Sequence, residues 1–135
     1  MNWVPASILA LLSFGFWGLF TKLAVAHIDY KSALIYQTLG VLIIGIITLG
    51  LIEFKPVSNL KGSGYAILTG AAYSIGCLFY FIAASKGKII TVVTLTALYP
   101  LVTIALAYFL LSESVSVKQL AGIVFGLIGI FLMSA

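Results

Sequence analysis

The chain has 135 residues, 63% of them hydrophobic and 7% charged, with a mean hydropathy of +1.26. A water-soluble domain carries roughly a quarter charged residues, so the composition excludes a soluble globule although the length alone would allow one. The formal net charge of +4 comes from seven lysines against three acids, with no arginine. The lysines stand singly between apolar runs, which excludes a basic nucleic-acid surface and suits charges that anchor helix ends at a bilayer.

A transmembrane helix needs about 20 mostly apolar residues. Five stretches meet that requirement, at about 4–26, 33–52, 64–85, 89–111 and 117–134. None alternates polar and apolar residues as barrel strands do. The expected fold is therefore all-α, a polytopic membrane protein in one transmembrane domain over 1–135. Met1-Asn2-Trp3 has no basic leader, and the run behind it exceeds the ~7–15 apolar residues of a signal peptide, so the first stretch reads as a retained helix.

The breaks have local chemistry. His27 to Ser32 closes the first stretch, and Glu53 to Ser63, with Pro56, Asn59 and Gly62, forms the longest loop. Lys86-Gly87-Lys88 reads as a helix stop with glycine in the left-handed region and lysine at the negative end of the dipole. Ser112-Glu113-Ser114 separates the last two stretches, and Ser116 with Gln119 has the spacing of a capping box. No loop can house a soluble catalytic domain. His27 stands alone, Cys77 has no partner cysteine, and no Ser/His/Asp set is present. No enzyme activity, cofactor or metal site is expected.

Polar residues within the stretches are few. Lys22 lies about four residues inside the first; it either snorkels to the interface or offers a counter-charge to a substrate anion. Trp17 suits a pocket or an interfacial belt. Gln37 needs a hydrogen-bond partner if it faces the bundle, and is equally at home near the interface. Tyr73 and Tyr80 share a face of the third stretch, suiting either lipid and packing contacts or a pocket. Pro100 deprives the Thr96 carbonyl of its helical donor, so a kink is expected there. Thr96, Tyr99 and Thr103 share its face, either lining a cavity or bonding back to their own helix. Gly122, Gly126 and Gly129 permit close helix approach, to a second copy or within the chain.

Several segments, in order along the chain, resemble the EamA-type domain of the drug/metabolite transporter superfamily. These are Phe16-Trp17-Gly18 with Lys22, Phe79-Tyr80-Phe81-Ile82-Ala83-Ala84-Ser85-Lys86-Gly87, Thr96-Ala97-Leu98-Tyr99-Pro100, and Glu113 followed by Gln119-Leu120, Gly122, Gly126 and Gly129. Gln37 stands where that family often has an arginine, which favours neutral substrates. No acid lies within any stretch, whereas the related small multidrug resistance proteins use a glutamate in the first helix. Proton-coupled export of cations by that route is therefore disfavoured.

The family commonly has ten helices in two inverted five-helix repeats, and this chain resembles one repeat, half of an inverted-repeat transporter. Five spans would place Lys55, Lys61 and Lys118 on one side and Lys22, Lys31, Lys86 and Lys88 on the other, a balance that sets no firm orientation. The resemblance thus implies a small-solute transporter for a metabolite or amphipathic compound. It would work by alternating access as an antiparallel, dual-topology homodimer in the plasma (inner) membrane of a prokaryote. Its partners would be the lipid bilayer, a small-molecule substrate and a second copy, with no nucleic acid. The alternative is a non-transporting assembly protein, or a half-subunit that needs a different partner chain.

Overall fold

The computed structural model describes residues 2–134, and the secondary structure among them is helical, with no strand. Six helices follow in order: α1 Trp3–His27, α2 Tyr30–Leu51, α3 Leu60–Lys86, α4 Ile89–Thr96, α5 Tyr99–Leu111 and α6 Val117–Ser134. Three of these, α1 to α3, are long and apolar enough to cross a membrane, as is Ile89–Leu111 taken as one 23-residue segment. The α6 helix is apolar but shorter, at 18 residues. The protein is an integral membrane protein, with four long apolar helical segments and a shorter one among its described residues.

Two helices begin earlier than the polar residues around them suggest. The α2 helix starts at Tyr30 because Asp29 caps it. One carboxylate oxygen accepts the Lys31 and Ser32 backbone N–H groups at 2.9 and 3.1 Å, and the other accepts the Ser32 hydroxyl at 2.6 Å. These bonds, the Ser32 hydroxyl first and its backbone N–H next, hold the exposed Asp29 carboxyl below its ordinary value of 3.8. Similarly, α3 starts at Leu60 because Asn59 Oδ1 accepts from the Lys61 and Gly62 amides, both at 3.1 Å. The capping box at α6 is present: Gln119 Oε1 accepts the Ser116 amide at 2.8 Å, and Ser116 Oγ accepts the Gln119 amide at 3.3 Å.

The stop after α3 differs from expectation. No described glycine has positive φ, so Gly87 does not take the left-handed conformation. That conformation falls instead on Glu53, Phe54 and Ser112, at φ of 54°, 58° and 54°. These three follow the ends of α2 and α5, where turning the chain yields bonds such as Phe54 N–H to the Leu49 carbonyl at 3.0 Å. The αL cost of about 1–2 kcal/mol at a non-glycine residue is offset by satisfying carbonyls that a helix end leaves open.

The fourth stretch also differs. It is two helices rather than one kinked helix, with α4 ending at Thr96 and α5 beginning at Tyr99. Pro100 lies in the first turn of α5, where its missing N–H is tolerated. The chain tightens at the break, with Leu98 N–H donating to the Leu95 carbonyl at 3.2 Å and Leu101 N–H to the Leu98 carbonyl at 3.0 Å.

The helices fall into two compact units, one ending at Lys86 and the other beginning at Gly87. In the first, α1, α2 and α3 all pack on one another. Its core is Ala33, Cys77 and Phe81, flanked by Trp17, Ala24, Val25, Tyr30 and Leu34. Gly18, Thr21 and Ala84 are also buried. Small side chains dominate because lipid tails are as apolar as leucine, so membrane helices associate through close packing and polar contacts. Large apolar residues such as Leu11, Phe14, Ile43 and Ile44 point outward. In the second unit α4 packs on α6, and Val92 and Thr94 are buried.

Many hydroxyls along the helices are satisfied locally. Ser7, Ser13, Thr21, Thr38, Thr48, Thr69, Ser74, Thr94 and Thr96 each donate to the carbonyl four residues back. In hydrocarbon an unmatched hydroxyl is expensive, and this pattern removes the cost without a partner helix.

Candidate functional site

One polar cluster joins all three helices of the first unit. Trp17 of α1 donates its indole N–H to Gln37 Oε1 of α2 at 2.7 Å. The indole also lies against the ring of Tyr80 on α3, with centroids 4.5 Å apart and planes inclined by 39°. At 1.5 Å per residue, Trp17 is about 15 Å from the His27 end of α1 and about 21 Å from the Trp3 end. Trp17 therefore sits at mid-depth of α1, with Gln37 about 10 Å inside the Tyr30 end of α2 and Tyr80 about 9 Å inside the Lys86 end of α3. An indole N–H only donates, which fixes the orientation of the Gln37 amide: oxygen toward Trp17, nitrogen away from it.

Lys22 belongs to the same unit. Its Nζ donates to the Ala84 carbonyl at 2.7 Å. Ala84 is in the last turn of α3, where carbonyls lack intrahelical donors and the dipole is negative. The ammonium thus ties α1 to the end of α3.

A groove of about 730 Å³ opens between α1 and α2 beside this cluster. Phe16, Trp17, Phe20 and Thr21 line it from α1, Tyr36 and Gln37 from α2, and Phe81 from α3. Phe16 and Phe20 stack with centroids 6.3 Å apart and planes 23° apart, forming a flat apolar wall. Trp17 and Gln37 are legible in the sequence as candidate site residues, Phe16 and Phe81 enter only within the family-like motifs, and Phe20, Thr21 and Tyr36 do not stand out. The signal for the α1 residues is their spacing at 16, 17, 20, 21 and 24, one helical face.

The remaining expected residues lie elsewhere. Tyr73 is two turns before Tyr80 on α3, 42% exposed. Thr96, Tyr99 and Pro100 gather at the break in the second unit, where the Thr96 hydroxyl donates to the Val92 and Val93 carbonyls at 2.9 and 3.1 Å and Tyr99 is exposed. A Cβ added at Gly122, Gly126 or Gly129 would meet no atom within 4 Å. A second cavity, about 420 Å³, lies within that unit between α5 and α6 and includes Tyr108, Glu113 and Gln119.

Comparison with known proteins decides the family. The model of the EamA-like transporter family matches residues 1–135. The chain belongs to the EamA-like transporter family. It is also similar to an uncharacterized protein of Methanocaldococcus jannaschii, 35% identical over 133 residues and covering 96% of each chain. No solved structure matches. EamA-like membership makes this a membrane protein of a transporter family, not of an enzyme family. In this EamA-like chain, the Trp17–Gln37–Tyr80 cluster joins the three helices of the first unit, and the groove opens beside it.

Proposed function

We propose that this chain is half of a small-solute transporter, moving a metabolite or amphipathic compound by alternating access of two copies inserted in opposite orientations. The observation that carries the reading is the Trp17–Gln37–Tyr80 cluster, well inside all three helices and beside an open groove. Transporter sites built from inverted repeats lie near the midplane at the repeat interface. A second copy facing that groove would complete such a site, with Lys22 and Tyr73 of the same unit contributing further surface. Five spans, counting α6, put the termini on opposite sides. The open faces of Gly122, Gly126 and Gly129 suit close contact with the second copy. The membrane would be the plasma membrane of a prokaryote.

The test is uptake of a metabolite panel by proteoliposomes containing this chain alone, with paired C-terminal reporters, one active only in the cytoplasm and one only outside. Uptake with both reporters active is expected. A silent reporter alongside intact uptake refutes dual topology. No uptake by the lone chain, with uptake restored by a co-purifying partner, would make it a half-subunit of a different pair.

A further inference from the structure

The amide of Gln37 is half used. Its oxygen is held by Trp17, and that bond turns the nitrogen away from the indole. No described residue accepts from that nitrogen, yet it is not sealed in the core: no buried side-chain nitrogen or oxygen among the described residues lacks a partner, and Gln37 lines the groove. Two N–H donors about 10 Å inside a membrane helix carry a desolvation cost until something accepts from them. The neighbouring wall is aromatic and flat, with Phe16 and Phe20 stacked and Phe81 at the α3 side. The charge nearest in sequence on α1, Lys22, is bonded to the Ala84 carbonyl.

We propose that Gln37 selects the solute: the groove takes neutral molecules that present a carbonyl-type hydrogen-bond acceptor on a flat apolar body. The acceptor meets the Gln37 amide nitrogen, and the body lies on Phe16 and Phe20. Trp17 is the positioning residue, since its N–H fixes which way the amide faces. The assignment rests on reading the groove as the solute path and adds the chemistry that the path recognises.

The test is equilibrium binding to the full chain in dodecyl maltoside, a detergent without ester carbonyls. A Trp3→Phe background leaves Trp17 as the sole tryptophan, because the chain has two. Three probes of similar size are titrated against its emission: N,N-dimethylbenzamide, which accepts and cannot donate, isopropylbenzene, and phenyltrimethylammonium. The amide should saturate the signal with at least about tenfold tighter affinity than either of the others, the equivalent of one ~1.4 kcal/mol interaction.

Gln37→Glu keeps an acceptor for Trp17 while replacing the amide donors, and should transfer the preference to the cation. Gln37→Met keeps the volume and should abolish the preference. Equal affinities in the wild type overturn the proposal without recourse to any variant, as does amide binding unchanged in Gln37→Met. Competition by a diacyl but not a dialkyl phospholipid would place a lipid in the groove and also overturn it. Binding selectivity without uptake by proteoliposomes would refute the transport reading alone, whereas uptake without selectivity would refute this assignment alone.

Discussion

Trp17 and Gln37 are twenty residues apart in sequence, and their side chains meet across α1 and α2 at 2.7 Å. The bond satisfies a donor that hydrocarbon cannot satisfy, and it sets the register between the two helices. Replacing Gln37 with leucine should leave the indole N–H unmatched and cost about 1–3 kcal/mol of stability. Gln37→Glu should lose less, because an acceptor remains. Reversible unfolding in mixed micelles, followed by helical circular dichroism, checks both. Equal stability of the leucine variant and the wild type would show that the bond does not hold the bundle.

The contact between Lys22 and the Ala84 carbonyl predicts a loose α3 terminus when the ammonium is removed. Lys22→Met should destabilise by about 1.5–3 kcal/mol, the range for a hydrogen bond to a charged group. It should also speed tryptic cleavage at Lys86 and Lys88, which flank the turn. Unchanged cleavage would mean that α3 holds its end without Lys22.

The interruption between α4 and α5 depends on Pro100. In Pro100→Ala the restored N–H can donate to the Thr96 carbonyl and join the helices. Hydrogen exchange of the 97–101 amides should slow by about tenfold, roughly one hydrogen bond of ~1.4 kcal/mol. Uptake should fall if the break is needed for motion. An exchange pattern identical to the wild type would place the cause of the break elsewhere.

Asp29 supplies a pH dependence. Its carboxyl is held below 3.8 chiefly by the Ser32 hydroxyl and backbone N–H, so the folded state favours the charged form. The cap's contribution is therefore complete above that value and disappears as pH falls through the depressed one. Asp29→Ala should melt below wild type at pH 6, and the gap should close on acidification below 3.8. A gap that persists at the lowest pH would mean that the carboxylate charge is not what stabilises α2.

Much of this architecture was legible in the sequence, through side chains whose partners are local. The apolar runs marked the helical segments, and Ser116 with Gln119 announced the start of α6, because both bonds form within one turn. The sequence pattern places the starts of α2 and α3 too late, since Asp29, Ser32, Asn59 and Gly62 are loop formers that here act as caps and first-turn residues. The site was legible only in part. Gln37 advertises the need for a partner but not which helix supplies it. Nothing in the sequence points from Lys22 to the carbonyl of Ala84, because a backbone acceptor has no residue type. The sequence predicts a kink after Thr96 rather than a break, since Pro100 signals the missing bond but not the tightened turn that replaces it.

The same break bears on how the chain reaches the bilayer. The eight residues of α4 rise only ~12 Å and the thirteen of α5 only ~20 Å, against a hydrocarbon core of ~30 Å. Neither piece is a stop-transfer signal by itself, whereas the joined segment of 23 residues is long enough to be one. The insertion machinery is therefore expected to receive Ile89–Leu111 as one hydrophobic unit, since Ala97 and Leu98 keep right-handed helical angles and only tighten the turn between the two pieces. A polar substitution at Leu98 would then act first on biogenesis, lowering the amount of protein delivered to the membrane before any effect on the finished bundle.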